Sequence, residues 1–526
     1  MRTHARLVLM AAGIVLLLGA SGLRLLRSSS GLSGSPFDLQ AALAAAHPGD
    51  VLELPAGATF IGNFVLPSKP GSEWITIRSS AHERLPPSGS RVSPSDATLM
   101  PKIVSPNAAP ALTTASKAAR YRIIGIEVTT TSPVNSNLVR LEAPRQNSLD
   151  RIPTDILIDR CYIHGTPAGS VRRGIVLNGA RLAVVGSYLS DFHDRGADSQ
   201  AITGWNGPGP FQIVNNYLEA AGENVMFGGA DPAIDHLVPA DIEIRGNHFD
   251  KPLSWRVGDP AYAGIPWTVK NLFELKNARR VVVRGNIFEH NWIQADQHGF
   301  AVVFTPRNQQ GRAPWSEVAD ITFTDNVVRH SVAGIQLLGW DYLRPSQQTR
   351  RIVIRNNLFT DIGGPQGDGN YFSGTLVWMM DGAADVVIDH NTALQSGSPI
   401  VASVIVPERK TQSGFVFTNN IARLNQNGVS GDGTLGDPGR TLATYFPGAV
   451  FEGNVLVGRD GRYPPQNFFP PSVDAIGFVN LLQGDYRLAA SSRYSQASDA
   501  GSDPGVDVGA LRAALGPVAW ASLMLR

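Results

Sequence analysis

The sequence predicts an all-β chain: a single-stranded right-handed parallel β-helix (a solenoid) with an N-terminal capping helix. A recurring phrase is the first sign, a β-rich run followed by Asn and an apolar pair. It reads IVNNYL at 213–218, IRGNHF at 244–249, VRGNIF at 283–288, FTDNVV at 323–328, IRNNLF at 354–359, IDHNTA at 388–393, FTNNIA at 417–422 and FEGNVL at 451–456. Successive Asn positions lie 29 to 40 residues apart, a period that belongs to solenoids and propellers. The second sign is another β-rich run after most copies: RGIVLNG 173–179, ENVMFGG 223–229, NLFELKN 271–277, GFAVVFT 299–305, AGIQLLG 333–339, TLVWMMD 375–381 and SVIVPE 403–408. Short runs of Val, Ile, Phe and Leu bounded by Gly, Asn, Asp and Pro read as strands between turns. The third sign decides against a propeller. Most repeats are shorter than the roughly 40–50 residues of a four-stranded blade and lack its hairpin turns.

The Asn comes where a strand ends, a place where its tolerance of the left-handed conformation is useful. Stacked once per coil, its amide is expected to bond the neighbouring backbone and the next Asn, each bond contributing roughly 1 kcal/mol net. Two degenerate copies, LIDRCYI at 157–163 and VVGSYL at 184–189, precede the ladder. The first holds Cys161, the single cysteine, which reads as a buried ladder or core residue and excludes an intramolecular disulfide. Arg245, Arg284 and Arg355 recur with the period and read as structural.

Four segments follow along the chain. Residues 1–27 read as a signal peptide or signal anchor: Arg2, His4 and Arg6 precede the apolar run Leu7–Ala20, with small residues after it. Residues 28–36 (SSSGLSGSP) read as a flexible linker. The β-helix covers 37–455, and its first residues give an amphipathic helix at Leu39–Ala46 that hides the first coil from water. Residues 456–526 form an irregular closing segment, and the Ser-, Pro- and Ala-rich stretch 80–120 an excursion between early coils. Length alone would suggest three or four domains, but a solenoid grows by adding coils to one core. The expected product is an exported monomer, periplasmic, extracellular or anchored, that meets a membrane through its N-terminal segment alone. A net charge of +1 argues against nucleic acid as a partner.

The opening QAALAAAHPGDVLELPAGATF and the closing FVN, GDYRLAASS and GVDVGAL resemble the ends of pectate-lyase-like β-helix proteins of bacteria. The stretches 204–232, 267–292 and 305–315 resemble a secreted group of that superfamily. The resemblance implies action on a polysaccharide, often acidic, by β-elimination or hydrolysis. Asp-Asp pairs, expected of the polygalacturonase type, are absent from the sequence. ELKNARR at 274–280 resembles the chondroitinase-B-like and alginate-lyase-like branch in residue types, a branch in which a Lys and an Arg work beside a calcium held by acidic groups.

Alternation on NLFELKN points Phe273 and Leu275 inward and Glu274 and Lys276 outward. Ends of equivalent strands carry Trp205, Asn206, Asp231, Arg307, Asn308, Trp340 and Asp341. This mixed-charge stripe suits a glycan, with Trp205, Asn206, Asn308, Trp340 and Asp341 as substrate-binding residues. For β-elimination, Lys276 is the expected base, its pKa lowered by Arg279, Arg280 and Arg307. Arg307 grips the uronate carboxylate, Glu274 completes the set, and His298 is a second base. Glu223, Asp231 and Glu274 are expected to hold calcium through oxygen ligands. Two rival readings are hydrolysis by Glu223 or Asp231 with Glu274, and a non-catalytic glycan-binding or adhesin surface. Four of the nine Trp (255, 267, 292 and 315) fall among the longest loops and mark a groove there, or else cover apolar coil faces.

Overall fold

The computed structural model describes residues 25–27, 37–364, 371–498 and 501–524. Apart from Leu25–Arg27, the expected export segment and linker lie outside them. Three long sheets of 14, 13 and 12 strands run the length of the molecule, and every pairing within them is parallel. One coil shows the path: Ala278–Arg284 in the first sheet, Ile287–Asn291 in the second, Phe300–Phe304 in the third, then Val318–Thr324 back in the first. This is the expected right-handed β-helix.

Side-chain alternation builds the interior. In Ala278–Arg284, Val281 and Val283 are buried while Val282 and Arg284 face out. Equivalent positions stack from coil to coil: Phe249 and Phe288 pair in register on the second sheet and lie buried at a centroid distance of 4.3 Å, and Phe323 of the first sheet packs on Phe288 at 5.5 Å.

Two residues always separate the first-sheet strand from the second-sheet strand between Asp159 and Val455. The Asn ladder occupies the second of them. Asn247 Nδ2 donates to Asn286 Oδ1 at 3.0 Å and to Ile213 O at 2.8 Å, and its backbone N–H donates to Asn286 Oδ1 at 2.9 Å. The same set repeats at Asn286, Asn326, Asn357, Asn391, Asn420 and Asn454. Each amide is therefore saturated by its neighbours. The left-handed residue is the one before the ladder Asn, a correction to the expected conformation. Asn215, Gly246, Gly285, Asp325, Asn356, His390, Asn419 and Gly453 all have φ between 52 and 67°. Ser187 and Cys161 begin the ladder: Ser187 N–H donates to Asn216 Oδ1, and Cys161 N–H donates to Ser187 Oγ. Asn467, from the Pro-rich stretch, folds back to receive the last rung from Asn454.

Helix α1 (Leu39–Ala45) starts at Asp38, whose side chain accepts from Ala41 N–H. Leu39 and Leu43 enter the core. Gln40 pairs both backbone groups of Val65, which stands on the open edge of the third sheet. Helix α2 (Pro438–Tyr445) closes the other end with Leu442 and Tyr445. The excursion after the first coils is a strap along the second sheet, with Leu85, Val92 and Met100 on Tyr162 and Tyr188. The closing segment also doubles back. Ile476, Leu488 and Tyr494 cover Ile421 and Val455, while α3 (Val508–Leu515) and α4 (Pro517–Met524) cover Ile287, Val327 and Leu358. Among the described residues, no helix is long and apolar enough to cross a membrane.

Removing a mid-ladder amide strands buried donors and a carbonyl on the coil below. Asn286→Ala is expected to cost about 2–4 kcal/mol in urea unfolding, and Asn467→Ala at the ladder's end less, since one rung is lost rather than two.

Candidate functional site

The polar side chains converge on the outer face of the third sheet between Arg173 and Thr305. Phe273 and Leu275 enter the core as alternation requires, and Glu274 lies between Met226 and Val303 of the adjacent coils. Lys276 Nζ stands 3.6 Å from Glu274 Oε2. The pair is sheltered rather than solvated, with 15% of the Lys276 side chain and 4% of Glu274 exposed. Asn271 Nδ2 donates to Glu274 Oε2 at 3.2 Å.

The first residues of consecutive third-sheet strands form a polar column beside this pair. Arg173 pairs in register with Gln200, and Gln200 with Glu223. Arg173 Nε donates to Gln200 Oε1 at 3.2 Å, and Gln200 Nε2 donates to Glu223 Oε2 at 2.6 Å. Glu223 is fully buried, and its Oε1 lacks a hydrogen-bond partner, as does Asn271 Oδ1. Lys270 Nζ bridges Asp198 at 2.7 Å and Asp296 at 3.3 Å. The sequence reading missed Arg173, Asp198, Gln200, Lys270 and Asn271. Aligning the starts of RGIVLNG, ENVMFGG and NLFELKN would have exposed part of the column, because a polar residue opens each of them.

Lys251, also missed, secures the turn that presents Glu223. Its fully buried ammonium donates to Ala220 O, Ala221 O and Gly222 O at 2.6–2.9 Å and to Asn224 Oδ1 at 3.3 Å. Burial lowers its pKa, and the carboxylates of Glu223 and Asp250 oppose that pull.

The charges around Lys276 overturn its expected depression. Burial pulls the ammonium down, but Glu274, Glu223 and Asp198 outweigh it and hold the pKa above the ordinary lysine value. The arginines expected to repel it are engaged elsewhere. Arg279 pairs with Glu317, and Arg280 forms two bonds to Asp241, both on first-sheet strands. Arg307 is held by Asp341 at 3.0 Å and lies over the Tyr342 ring at 4.6 Å, so it staples a loop.

Several other expected residues are loop staples as well. Asn206 Oδ1 accepts from Ala233 and Ile234 N–H, Asn308 Oδ1 from Ala313 N–H, and Asp341 from Asn308 and Leu343 N–H. All three side chains are buried, because strand-end backbone groups under long loops need internal partners. Asp231 Oδ2 accepts from the N–H groups of Gln310 and Arg312, which ties Asp231 to that loop, and its Oδ1 is buried without a hydrogen-bond partner. Trp205 does reach the cluster, with the Arg173 guanidinium 5.6 Å from its ring. Trp340 lies apart, under Arg409, beside a depression of about 340 Å³ lined by Gln348, Glu408 and Thr411. His298 packs on Phe372 and Trp378, and burial lowers its pKa. Trp255, Trp267 and Trp292 are buried in a small apolar core under the loops, so the covering role prevails for them over an open groove.

No family model matches the chain, and no curated protein matches it. Solved structures do. A PL6-family alginate lyase, AlyGC, superposes with a TM-score of 0.51 at 12% identity, over 91% of this chain and 56% of that one. A mannuronic-acid-specific family 6 lyase from human gut microbiota gives 0.49 at 11% identity, over 85% and 90%. The catalytic unit of a GH87 α-1,3-glucanase from Streptomyces thermodiastaticus gives 0.44 at 10%, over 82% and 64%. This chain spans about half the length of AlyGC. At such identity the likeness is one of fold.

Burial, then Asp198 and Glu274, push the Glu223 carboxyl up to about 7. The unfolded chain releases this proton at the ordinary carboxyl value and the folded chain keeps it longer, so stability falls with rising pH across that window. Glu223→Gln lacks the titration. In urea melts with chelator, its stability relative to the parent chain is expected to climb from acid to neutral pH and level off above about 7.

Proposed function

We propose that the chain cleaves a uronate-containing polysaccharide by β-elimination on the outer face of the third sheet. The observation that carries this reading is the Lys276 ammonium held at a strand end by buried carboxylates, with 15% of its side chain exposed. Elimination needs positive charge for the uronate carboxylate, a base for the C5 proton, and a proton for the leaving oxygen. Lys270, whose charge reaches Lys276, supplies positive charge beside it, and Arg173 supplies more further along the column. Lys276 in its neutral form takes the C5 proton, the C4–O bond breaks as the C4–C5 double bond forms, water gives the leaving oxygen its proton, and Trp205 offers a face for a sugar ring.

Calcium suits the oxygen set beneath. Glu223 Oε1 and Asn271 Oδ1 are buried acceptors without partners, and carboxylate and amide oxygens are calcium's ligands. Glu223, Glu274 and Asn271 would hold it, with Asp231 no longer in the set, and it would supply positive charge at the uronate carboxylate. Hydrolysis is less well supported: both of its carboxylates must touch the substrate, and Glu223 and Glu274 are buried. Export, expected from residues 1–27, suits a polymeric substrate.

The test is ultraviolet absorbance of the unsaturated product while purified protein meets a panel of uronate polysaccharides, with calcium and with chelator. A signal that rises with calcium and vanishes in Lys276→Ala is the expected result. Reducing ends released without absorbance would sink elimination, and neither signal would leave glycan binding as the function. The neighbouring carboxylates hold the Lys276 proton, so activity is expected to rise with pH. Asp198→Asn, which removes one of them, should shift that rise to lower pH.

A further inference from the structure

A separate cluster stands on the outer face of the second sheet, where the strap after the first coils ends and the C-terminal helices begin. Glu289, His290 and His330 bring one ligand atom each within 4.8 Å of one another, and His248, Asp250 and Glu289 do the same. His290 Nε2 and His330 Nε2 both face Glu289 Oε1, at 3.8 and 3.9 Å. Their other ring nitrogens are held by carboxylates: His290 Nδ1 by Asp250 at 2.8 Å, and His330 Nδ1 by Asp361 at 2.6 Å. His248 Nε2 meets Glu289 Oε2 at 2.9 Å.

This is the arrangement that a metal site requires around its imidazoles. A carboxylate on Nδ1 fixes the tautomer and the ring plane, and leaves the Nε2 lone pair aimed at the ion. Two such imidazoles aim at one carboxylate oxygen. Ligands about 2.0–2.2 Å from a tetrahedral zinc stand roughly 3.3 Å apart, so the rings need to close by about half an ångström. The backbone favours the placement. His290 and His330 sit on paired strands, each in the left-handed region at φ 62 and 52°, with rings stacked at 5.3 Å.

We propose that the cluster is a second metal site, taking Zn²⁺ or a similar borderline divalent ion through His290, His330 and Glu289, with His248 holding the other oxygen of Glu289. The ion would clamp two successive coils. Nitrogen-rich ligands select this class over calcium. The competitor is internal: Arg329 Nη2 lies 2.8 Å from Glu289 Oε1, the oxygen the ion needs.

The experiment titrates dialysed full-length protein with zinc against a colorimetric chelator, with calcium in excess so that oxygen-only sites are filled. One equivalent per chain is expected, with a rise in Tm, and cobalt should give visible absorption of a nitrogen-ligated ion. His290→Ala with His330→Ala should abolish uptake. Asp250→Asn or Asp361→Asn should weaken it on the order of ten- to a hundredfold. Arg329→Gln should tighten it, a gain that misfolding cannot produce. Absent saturable uptake, or uptake unchanged in the double histidine variant, would overturn the site. Unchanged affinity in Arg329→Gln would overturn Glu289 as a ligand.

Discussion

The buried amide ladder is the constraint on which the other features depend. Each Asn is a donor to the coils on either side and an acceptor from the coil below, so no rung can shift by a residue without leaving buried polar atoms unpaired. The two-residue turn that carries it stays the same length from Asp159 to Val455. Variation in coil length is therefore forced into the connections around the third sheet. The second-to-third connection grows from a tight corner at Ala220–Glu223 to the long loop between Asp250 and Phe273. With register locked at one corner, columns of outward side chains stay aligned along the whole molecule.

That alignment makes both polar clusters. Arg173, Gln200 and Glu223 are distant in sequence but neighbours in one column of the third sheet. Glu219, Asp250, Glu289 and Arg329 do the same on the second sheet. The residue after each ladder Asn faces outward on the second sheet, which explains the two covering segments. Tyr162 and Tyr188 accept the strap from the early excursion, while Ile287, Val327 and Leu358 accept the C-terminal helices. The histidine cluster occupies the interval between the covers.

Burial sets the electrostatics of these clusters. An isolated charge in the interior is costly, so each one has acquired partners. Lys251 takes three carbonyls and an amide oxygen, and Lys276 takes the field of three carboxylates. Glu223 and Asn271 keep unsatisfied oxygens next to these partners. Surface arginines such as Arg280 and Arg351 answer aspartates one coil below and stay outside the clusters.

The repeat, the strand alternation and the capping helix were legible in the sequence because they are local. A period of Asn, a period-two apolar pattern and an amphipathic run at Leu39–Ala46 need no knowledge of distant residues. Glu274 and Lys276 were legible as a pair for the same reason. What the chain order could not reveal was which loop each polar strand-end residue would meet. Asn206, Asn308, Asp341 and Arg307 read as a binding stripe, yet long loops fold over them and consume their hydrogen bonds. Asp198, Lys270 and Lys251 carried no signal in the sequence, yet the turns bring them against Glu223 and its strand. The sequence by itself determined the coil, because the ladder's chemistry repeats within each copy. The tertiary structure alone decided the site, because charge environment depends on which coils and loops become neighbours.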